Sequence, residues 1–276
     1  MRGLPVEVAV AVAVAVAAGL GGCAPASTTS DSTLIAHAPS PGCGGRFDDP
    51  LDEYAYVVDA DGGVVVPHNP RSCTVGEAIP VGSHPVTAAV TGSGQWIYVG
   101  DDVDHTITVI RQSTNAVEVV IPLPFAPDEL LFEPAHTVLW AAERATGAAV
   151  LIESEHHTIV GEVSLAPGFS SLSTTDALPQ TMLASHPDGY VEVIELATRT
   201  ALTRIDLGGP PLAVHHASNT SDGWACVGGD DPALVVFPST GPAAFVVTTR
   251  IPLDAPCTAL RFDGFRYGVA LQPALD

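Results

Sequence analysis

The stretch that decides the fold runs from Gln95 to Pro127 and reads QWIYVGDDVDHTITVIRQSTNAVEVVIPLPFAP. It contains three short runs rich in β-branched and aromatic residues, Trp96–Val99, Thr106–Ile110 and Ala116–Leu123. Such runs, separated by polar turns, are typical of short β-strands. A proline-bearing corner closes the stretch, so we interpret it as most of one repeating β-unit.

The same unit recurs along most of the chain, as shown by two series of equivalent residues, here called ladders, that have nearly the same period. Corner motifs resembling Ile-Pro-Leu follow one another at 42 residues and, at the last step, at 46, beginning at Ile79, Ile121, Val163, Ile205 and Ile251. A second ladder of mostly large apolar residues is spaced by 42 or 43: Tyr56, Tyr98, Trp140, Leu183, Cys226 and Val269. A period of about 40–50 residues with several strands per unit predicts an all-β fold, the β-propeller.

The ladders also assign strands. Inner strands are expected to begin near Pro85, Pro127, Gly168, Pro211 and Pro256. The first repeat lacks an inner strand, and the last supplies only Thr258–Phe262 and Tyr267–Leu271. We therefore predict five blades of four antiparallel strands, with the two chain ends sharing one blade and closing the sheet edges. Six blades, one of them partial, is the alternative, because Tyr267–Leu271 and Ala55–Val58 compete for one position.

The units resemble a known family. Ile97–Asp102, IYVGDD, followed by Thr106–Pro124, TITVIRQSTNAVEVVIPLP, is similar to the YVTN-type repeat of bacterial surface-layer propellers, and Tyr190–Gly208 fits the same template. The resemblance covers about residues 54 to 272. It implies a propeller fold and no particular reaction, because the repeat itself carries no catalytic motif. The Asn of YVTN is replaced in every repeat, by Asp59, Asp101, Glu143, His186 and Gly229.

The N-terminus has the features of an export signal. Val8 to Leu20 is an unbroken run of Ala, Val, Gly and Leu, too short for a membrane span but typical of a signal core. Leu20-Gly21-Gly22-Cys23 resembles the bacterial lipobox, which implies a lipid on Cys23 and a protein anchored to the outer face of the cell membrane. The alternative is cleavage after Ala24-Pro25-Ala26 and secretion of a soluble protein.

The predicted domains are a signal peptide over 1–22, a lipidated Cys23 with a Ser/Thr/Pro-rich tether over 23–45, and a propeller over 46–276. An exported chain reaches an oxidising compartment, so the four other cysteines are candidates for two disulfides. Three pairings are open; we favour Cys43–Cys73 and Cys226–Cys257.

The formal net charge of −21 disfavours nucleic acid as a partner, since phosphate binding needs clustered basic residues. We expect no nucleic acid, a membrane contact through the lipid anchor, and a monomer that binds an unidentified protein, glycan or small molecule. No cofactor is predicted, although a divalent cation would suit the acidic turns described next.

The propeller template places one set of turns on a single rim. The carboxylates and imidazoles there are His84, Asp101, Asp102, Asp104, His105, Glu143, His186, Asp188, Asp230, Asp231 and Asp254. Oxygen ligands suit hard cations, and imidazole with carboxylate suits transition metals. The best metal guess is His84, Asp101, His105 and His186. The competing interpretation is ordinary turn chemistry, in which Asp and Gly serve the backbone.

Other polar residues are interpreted as structural. The adjacent pairs His156-His157 and His215-His216 are expected to be surface or loop residues, since neighbours in a strand point to opposite faces. No nucleophile elbow, H-E-x-x-H or phosphate-binding loop occurs in the sequence. The leading hypothesis is a non-enzymatic surface lipoprotein that binds a ligand through one rim. The alternative is a lactonase-like or quinoprotein-like hydrolase or oxidoreductase with a metal or cofactor over the central funnel of the propeller.

Overall fold

A computed structural model describes residues 55–69, 74–91, 94–133, 137–174, 181–216, 222–238, 244–257, 259–262 and 268–271. Cys23, Cys43 and Cys73, and with them the predicted lipid anchor and the first disulfide, lie outside the described residues. The chain divides into two compact units, residues 1–141 with 152–160 and residues 142–151 with 161–276. Among the described residues, no helix has the length and apolar character that crossing a membrane requires.

Five four-stranded antiparallel sheets confirm the predicted blades. Blade 1 is β1 Ala55–Asp59, β2 Val64–Asn69, β3 Thr74–Val75 and β4 Ile79–Pro80; blade 2 is β5 Pro85–Val90, β6 Trp96–Asp101, β7 Thr106–Arg111 and β8 Ala116–Pro122. Blade 3 is β9 Glu129–Glu133, β10 Val138–Ala142, β11 Ala148–Glu153 and β12 Thr158–Ser164; blade 4 is β13 Ser171–Thr174, β14 Thr181–His186, β15 Tyr190–Glu195 and β16 Thr200–Asp206. Blade 5 is β17 Pro211–His216, β18 Asp222–Val227, β19 Ala233–Pro238 and β20 Thr249–Pro252.

The chain ends use their strands differently from the other repeats. In blade 1, β3 and β4 both pair with β2, so the outer strand is broken into two segments. The last described strands, β21 Ala259–Phe262 and β22 Gly268–Leu271, pair with each other in a two-stranded sheet. The sharing of one blade by the two chain ends stays a prediction.

The burial of each strand explains its sequence. The second strands β6, β10 and β14 are buried along their whole length, because a blade packs on both of its faces. That is why they read as continuous apolar runs and not as alternating ones. The outer strand β8, in contrast, has one buried residue in seven. In the first unit, Tyr56 and Val65 of blade 1 pack on Ile97 and Val99 of blade 2.

The corner ladder has a single physical cause. In each repeat the third corner residue donates its backbone N–H to a carbonyl in the turn between the second and third strands. The distances are 3.0 Å for Val81 to Gly63, 2.8 Å for Leu123 to His105, Leu165 to Gly147 and Leu207 to Gly189, and 2.9 Å for Leu253 to Pro232. Four of these turn residues, 63, 105, 147 and 189, have a left-handed backbone, with φ of 64°, 54°, 75° and 97°. The 42-residue period is therefore the distance from one hydrogen-bonded corner to the next.

One disulfide lies in the second unit. Cys226 in β18 is bonded to Cys257, just before β21, and both side chains are fully buried. This confirms the pairing favoured from the sequence. The bond closes a segment with a sequence separation of 31 residues, so it restricts the unfolded chain and contributes about 3–4 kcal/mol on the loop-entropy estimate.

Candidate functional site

The turn between β6 and β7 is organised by one buried carboxylate. Asp101 is 0% exposed and accepts three backbone N–H groups: from His84 at 2.6 Å, from Val103 at 2.9 Å and from Asp104 at 2.7 Å. Hydrogen bonds to a charged acceptor are stronger than neutral ones, and they offset the cost of burying the charge. The geometry gives Asp101 the role that the turn interpretation foresaw, that of holding the backbone.

Around Asp101, the β6–β7 turn and the segment before β5 together display partly exposed polar side chains. His84 Nδ1 donates to Asp102 Oδ1 at 2.7 Å, and the two side chains remain 41% and 33% exposed. The Ser83 backbone N–H and hydroxyl donate to the Asp104 carboxylate at 2.8–2.9 Å. The hydrogen bond to Asp102 raises the pKa of His84 above its ordinary value of 6.5. At this corner the His84 imidazole lies beside the Asp102 carboxylate, on a backbone that is fixed by Asp101.

His105 ends the same turn in a left-handed conformation, with φ of 54°. Its carbonyl accepts the Leu123 N–H, the position that glycine fills in three other repeats. The structure therefore brings His84 and Asp101 into direct contact and places His105 at the end of their turn. A metal held by these residues stays a prediction.

The equivalent positions in blades 1 and 3 resemble Asp101 in part. Asp59 Oδ1 accepts the Gly62 N–H at 3.0 Å, so it also stabilises the turn after its strand. Glu143 accepts a hydrogen bond from the Thr146 hydroxyl in its own turn. A carboxylate at this repeat position thus serves the backbone or the turn in three blades.

Blade 4 departs from this pattern at His186. Its side chain is 1% exposed, and its ring stacks on Tyr190 with a centroid distance of 4.2 Å and an interplanar angle of 11°. The Arg204 guanidinium lies over the same Tyr190 ring at 4.7 Å and also approaches Glu192 at 3.5 Å. Burial holds the pKa of His186 below its ordinary value of 6.5, so the ring is neutral near pH 7.

His186 Nε2 is buried with no hydrogen-bond partner, and so are the hydroxyls of Ser173 and Ser185 in the same blade. A buried polar atom without a partner costs about 1–3 kcal/mol. Ser185 and His186 are neighbours in β14, so their side chains point to opposite faces of the sheet. The repeat pattern of the sequence places His186 among the rim candidates, but nothing in that pattern indicates its stacking on Tyr190.

The remaining rim candidates lie on the surface. Asp188 and Asp230 are exposed, and Asp231 pairs with Arg250 at 3.2 Å while 78% exposed. Arg250 also donates to the Leu207 and Asp231 carbonyls at 2.7 Å, which fixes β20 against its neighbours. These aspartates contribute negative surface charge and are not drawn into one cluster within the described residues.

A different group has the spacing of metal ligands. One ligand atom from each of Glu153, Glu155 and His156 lies within 4.8 Å of the others. Both Glu153 oxygens already accept turn N–H groups, from Glu155 at 2.9 Å and from His156 at 2.7 Å. We assign no metal to this group, because its central carboxylate serves the turn as Asp101 does.

A cleft whose lining includes none of the rim candidates lies in the first unit. Its volume is about 450 Å³, and it is lined by residues 77–80 of blade 1 and by Thr114, Asn115 and Val117 of blade 2. The cleft is open to solvent, and its lining is mixed, with apolar residues such as Ile79 and Val117 beside Glu77, so it offers a shallow surface and no enclosed site.

His157 has a structural role that is not among the expectations from the sequence. This residue is half-buried in the turn between β11 and β12, and its Nδ1 lies 2.9 Å from the Tyr98 hydroxyl. Both histidines of this pair lie in the β11–β12 turn, as expected for loop residues, but only His156, whose side chain is 72% exposed, lies at the surface. The signal was present in the spacing: Asn115, His157 and Arg199 are 42 residues apart and all have a left-handed backbone. The side chains of His215 and His216 are outside the described residues.

Three solved structures share this fold. Hydrazine synthase from Kuenenia stuttgartiensis is 14% identical with a TM-score of 0.58, covering 73% of this chain and 63% of that one. Dihydro-heme d1 dehydrogenase NirN, in complex with DHE, is 18% identical with a TM-score of 0.60, covering 76% and 46%. A protein of unknown function from Desulfotomaculum acetoxidans is 10% identical with a TM-score of 0.63, covering 74% and 67%. The chain thus spans less than two thirds of the first two.

No protein-family model matches the chain. No curated protein matches its sequence. At these identities the structural likeness shows the fold alone. Together with the five four-stranded sheets, it defines the class of protein: the chain is a β-propeller.

Proposed function

We propose that this propeller is an exported, lipid-anchored binding module that recognises its partner through the turn between β6 and β7. The observation that carries the proposal is the rigid corner built on Asp101. Two of its hydrogen bonds fix the β6–β7 turn that presents Asp102, and the third holds the His84 backbone, in the segment before β5, against that turn. Binding residues on a preorganised turn lose little conformational entropy when a partner arrives. A partly exposed imidazole and carboxylate in a fixed relation suit recognition of a polar partner.

The charge of the protein indicates the chemistry of that partner. The chain carries a net charge of −21, and the corner adds the carboxylates of Asp102 and Asp104 to one imidazole. Such a surface attracts guanidinium or ammonium groups and repels phosphate. We therefore expect a protein or small ligand that offers a basic side chain to this turn.

Export is supported by sequence and by structure. The lipobox-like segment Leu20–Cys23 provides the anchor, and the buried Cys226–Cys257 disulfide is of the kind that persists in oxidising compartments. Replacing Cys23 with Ala is expected to move the protein from the membrane fraction into the medium. Retention of the Cys23→Ala protein at the membrane would contradict lipidation.

Binding is tested with a defined cationic probe. The affinity of the full chain for an arginine-containing peptide is measured by calorimetry for the wild type, Asp102→Asn and a control, Glu162→Gln, on the exposed outer strand β12. Both variants remove one negative charge. We expect Asp102→Asn to weaken binding about tenfold and Glu162→Gln to leave it within twofold, the difference of about 1.4 kcal/mol that a charge-assisted contact supplies. Equal losses in both variants would mean unspecific attraction and would contradict the proposed site.

The second candidate is a propeller enzyme that uses a metal or cofactor in the second unit. The buried His186 favours it, because a neutral imidazole with Nε2 available is a frequent metal ligand. Two structural neighbours are enzymes by their names, a synthase and a dehydrogenase. Metal analysis of the purified chain distinguishes the two candidates: a stoichiometric cation that is lost in His186→Ala would support the enzyme.

A further inference from the structure

The first unit contains two equivalent contacts in which a tyrosine of one blade meets the turn between the third and fourth strands of the next. The Tyr56 hydroxyl donates to Asn115 Oδ1 at 2.7 Å, and the Tyr98 hydroxyl lies 2.9 Å from His157 Nδ1. Each pair is separated by 59 residues, so the repeat places the same two positions together twice. We call each pair a tyrosine latch.

The turns that carry the latches also match in their backbone. Asn115 and His157 have φ of 51° and 58°, a left-handed conformation that Asn and His adopt more readily than most residues. The Gln112 N–H donates to Gln95 at 3.0 Å, and the Ser154 N–H, 42 residues later, donates to Thr137 at 3.1 Å. The group that meets the tyrosine hydroxyl differs between them: it is an amide in the first latch and an imidazole in the second.

The second latch has a more enclosed surrounding. Tyr98 is 0% exposed and Trp96 is 8% exposed, and the His157 ring packs edge-on against Trp96 at 4.5 Å. Arg111 lies over the Trp96 ring at 4.4 Å and is held there by Glu118 at 2.8 Å. A positive charge on His157 would enter a site that already has a guanidinium beside it.

The charged groups that act on His157 lie on β7, β8, β11 and its own turn. Glu118 of β8 and Glu153 of β11 favour the protonated ring, whereas Arg111 of β7 and His156 of its own turn oppose it. Burial is the largest influence, and it holds the pKa of His157 below its ordinary value of 6.5. Although burial raises the pKa of Glu153, the Glu155 and His156 backbone N–H groups hold it below its ordinary value, so Glu153 stays ionised as His157 titrates.

We propose that the Tyr98–His157 latch is a pH-sensitive catch, in which protonation of His157 weakens its contact with Tyr98 and Trp96 and frees the β11–β12 turn. The neutral ring accepts from the Tyr98 hydroxyl, which keeps its proton because burial raises the pKa of Tyr98. On protonation, Nδ1 becomes a donor, the hydroxyl must turn round to accept, and a charge is added beside Trp96 and Arg111. The Tyr56–Asn115 latch has no such group and remains closed.

The test is amide hydrogen exchange of the full chain between pH 7.5 and pH 5, corrected for the intrinsic pH dependence. We expect protection of the Ser154 amide to fall about fivefold over this range, the factor that corresponds to one hydrogen bond of about 1 kcal/mol. The Gln112 amide is the internal control and is expected to keep its protection. A constant Ser154 protection, or an equal fall at Gln112, would overturn the proposal.

Variants assign the effect to the imidazole. His157→Asn copies the first latch, fits the left-handed position, and is expected to make Ser154 protection independent of pH. His156→Asn removes the exposed neighbouring histidine and is expected to behave as the wild type. Tyr98→Phe deletes the hydroxyl and retains the ring, so protection at pH 7.5 should already be reduced. A fall of wild-type size in His157→Asn would show that another group is responsible and would overturn the proposal.

Discussion

Asp101 in blade 2 and His186 in blade 4 occupy the same position of the repeat, the last residue of the second strand. Their side chains differ in whether they have hydrogen-bond partners. Asp101 is buried with its carboxylate satisfied by three backbone N–H groups, whereas His186 is buried with Nε2 unpartnered. The turn lengths explain the difference. Asp101 pairs with Thr106 across four turn residues, and His186 pairs with Tyr190 across three.

The shorter turn in blade 4 closes without help from a side chain. The Gly189 N–H donates directly to the His186 carbonyl at 3.0 Å, so the backbone of this turn supplies its own closing hydrogen bond. The side chain of His186 is thereby released to stack on Tyr190. The position of a residue in the repeat therefore predicts where it lies in the blade. The length of the turn that follows it determines which groups its side chain contacts.

Replacing Asp101 with Ala is expected to have the largest effect, because it removes the side chain that distinguishes the blade 2 turn from the blade 4 turn. Three N–H groups lose their charged acceptor, and we expect the free energy of unfolding to fall by about 3–5 kcal/mol. Chemical denaturation of the full chain measures the loss. The control is Asp230→Ala, an exposed aspartate in another turn, which should change stability by less than about 0.5 kcal/mol. Similar small effects for both variants would show that Asp101 is not the centre of its turn.

Replacing Gly82 with Ala disturbs the same carboxylate from the outside. A Cβ at Gly82, where φ is +145°, would lie 2.2 Å from Asp101 Oδ2, so the carboxylate must move away from the His84 N–H. We expect a loss of about 2–4 kcal/mol from overlap and backbone strain. Gly94→Ala is the matched control: φ is +70° and its Cβ meets nothing within 4 Å, which leaves a backbone cost of about 1 kcal/mol. Equal losses would remove the contact with Asp101 as the cause.

The sequence predicted the features of the fold that recur in every repeat, namely the positions of the second strands and of the inner strands. Second strands contain the ladder residues Tyr98, Trp140 and Leu183, as expected, and inner strands begin within three residues of the expected positions. This succeeded because burial on both faces and the corner hydrogen bond act in every blade. The Cys226–Cys257 pair was also favoured correctly, since both cysteines lie in adjacent late repeats.

The sequence could not assign the site residues, because their roles depend on partners that leave no pattern. Asp101 is held by backbone N–H groups, which are the same in every sequence. His186 and Tyr190 are four residues apart, and only the three-residue turn brings their rings into a stack. The broken outer strand of blade 1, β3 and β4, has no sequence signal that we could identify.

Replacing His186 with Phe tests the corresponding position in blade 4, where the buried ring is expected to be neutral. Phe keeps a ring on Tyr190 and removes the unpartnered Nε2, so we expect stability at pH 7.5 to stay within about 1 kcal/mol of the wild type. The pH dependence should change more. Because the folded pKa of His186 is lowered, the neutral ring contributes stability above pH 6.5 that is lost as the pH falls below this value. Denaturation at pH 7.5 and pH 5 should therefore show a smaller acid loss in His186→Phe; an unchanged acid loss would contradict the buried, neutral His186.

The smallest effect is expected at His84, the exposed histidine of the blade 2 corner. Its hydrogen bond to Asp102 raises its folded pKa, so the contribution of the protonated ring is complete below pH 6.5 and is lost as the pH rises through the raised value. This sign is opposite to that of His186, and solvent exposure keeps the contribution small. Proton NMR titration of the two imidazoles should give an apparent pKa above 6.5 for His84 and below 6.5 for His186. In Asp102→Asn the value for His84 should return toward 6.5 while that for His186 stays unchanged, because the corner carboxylate acts on one ring and burial on the other.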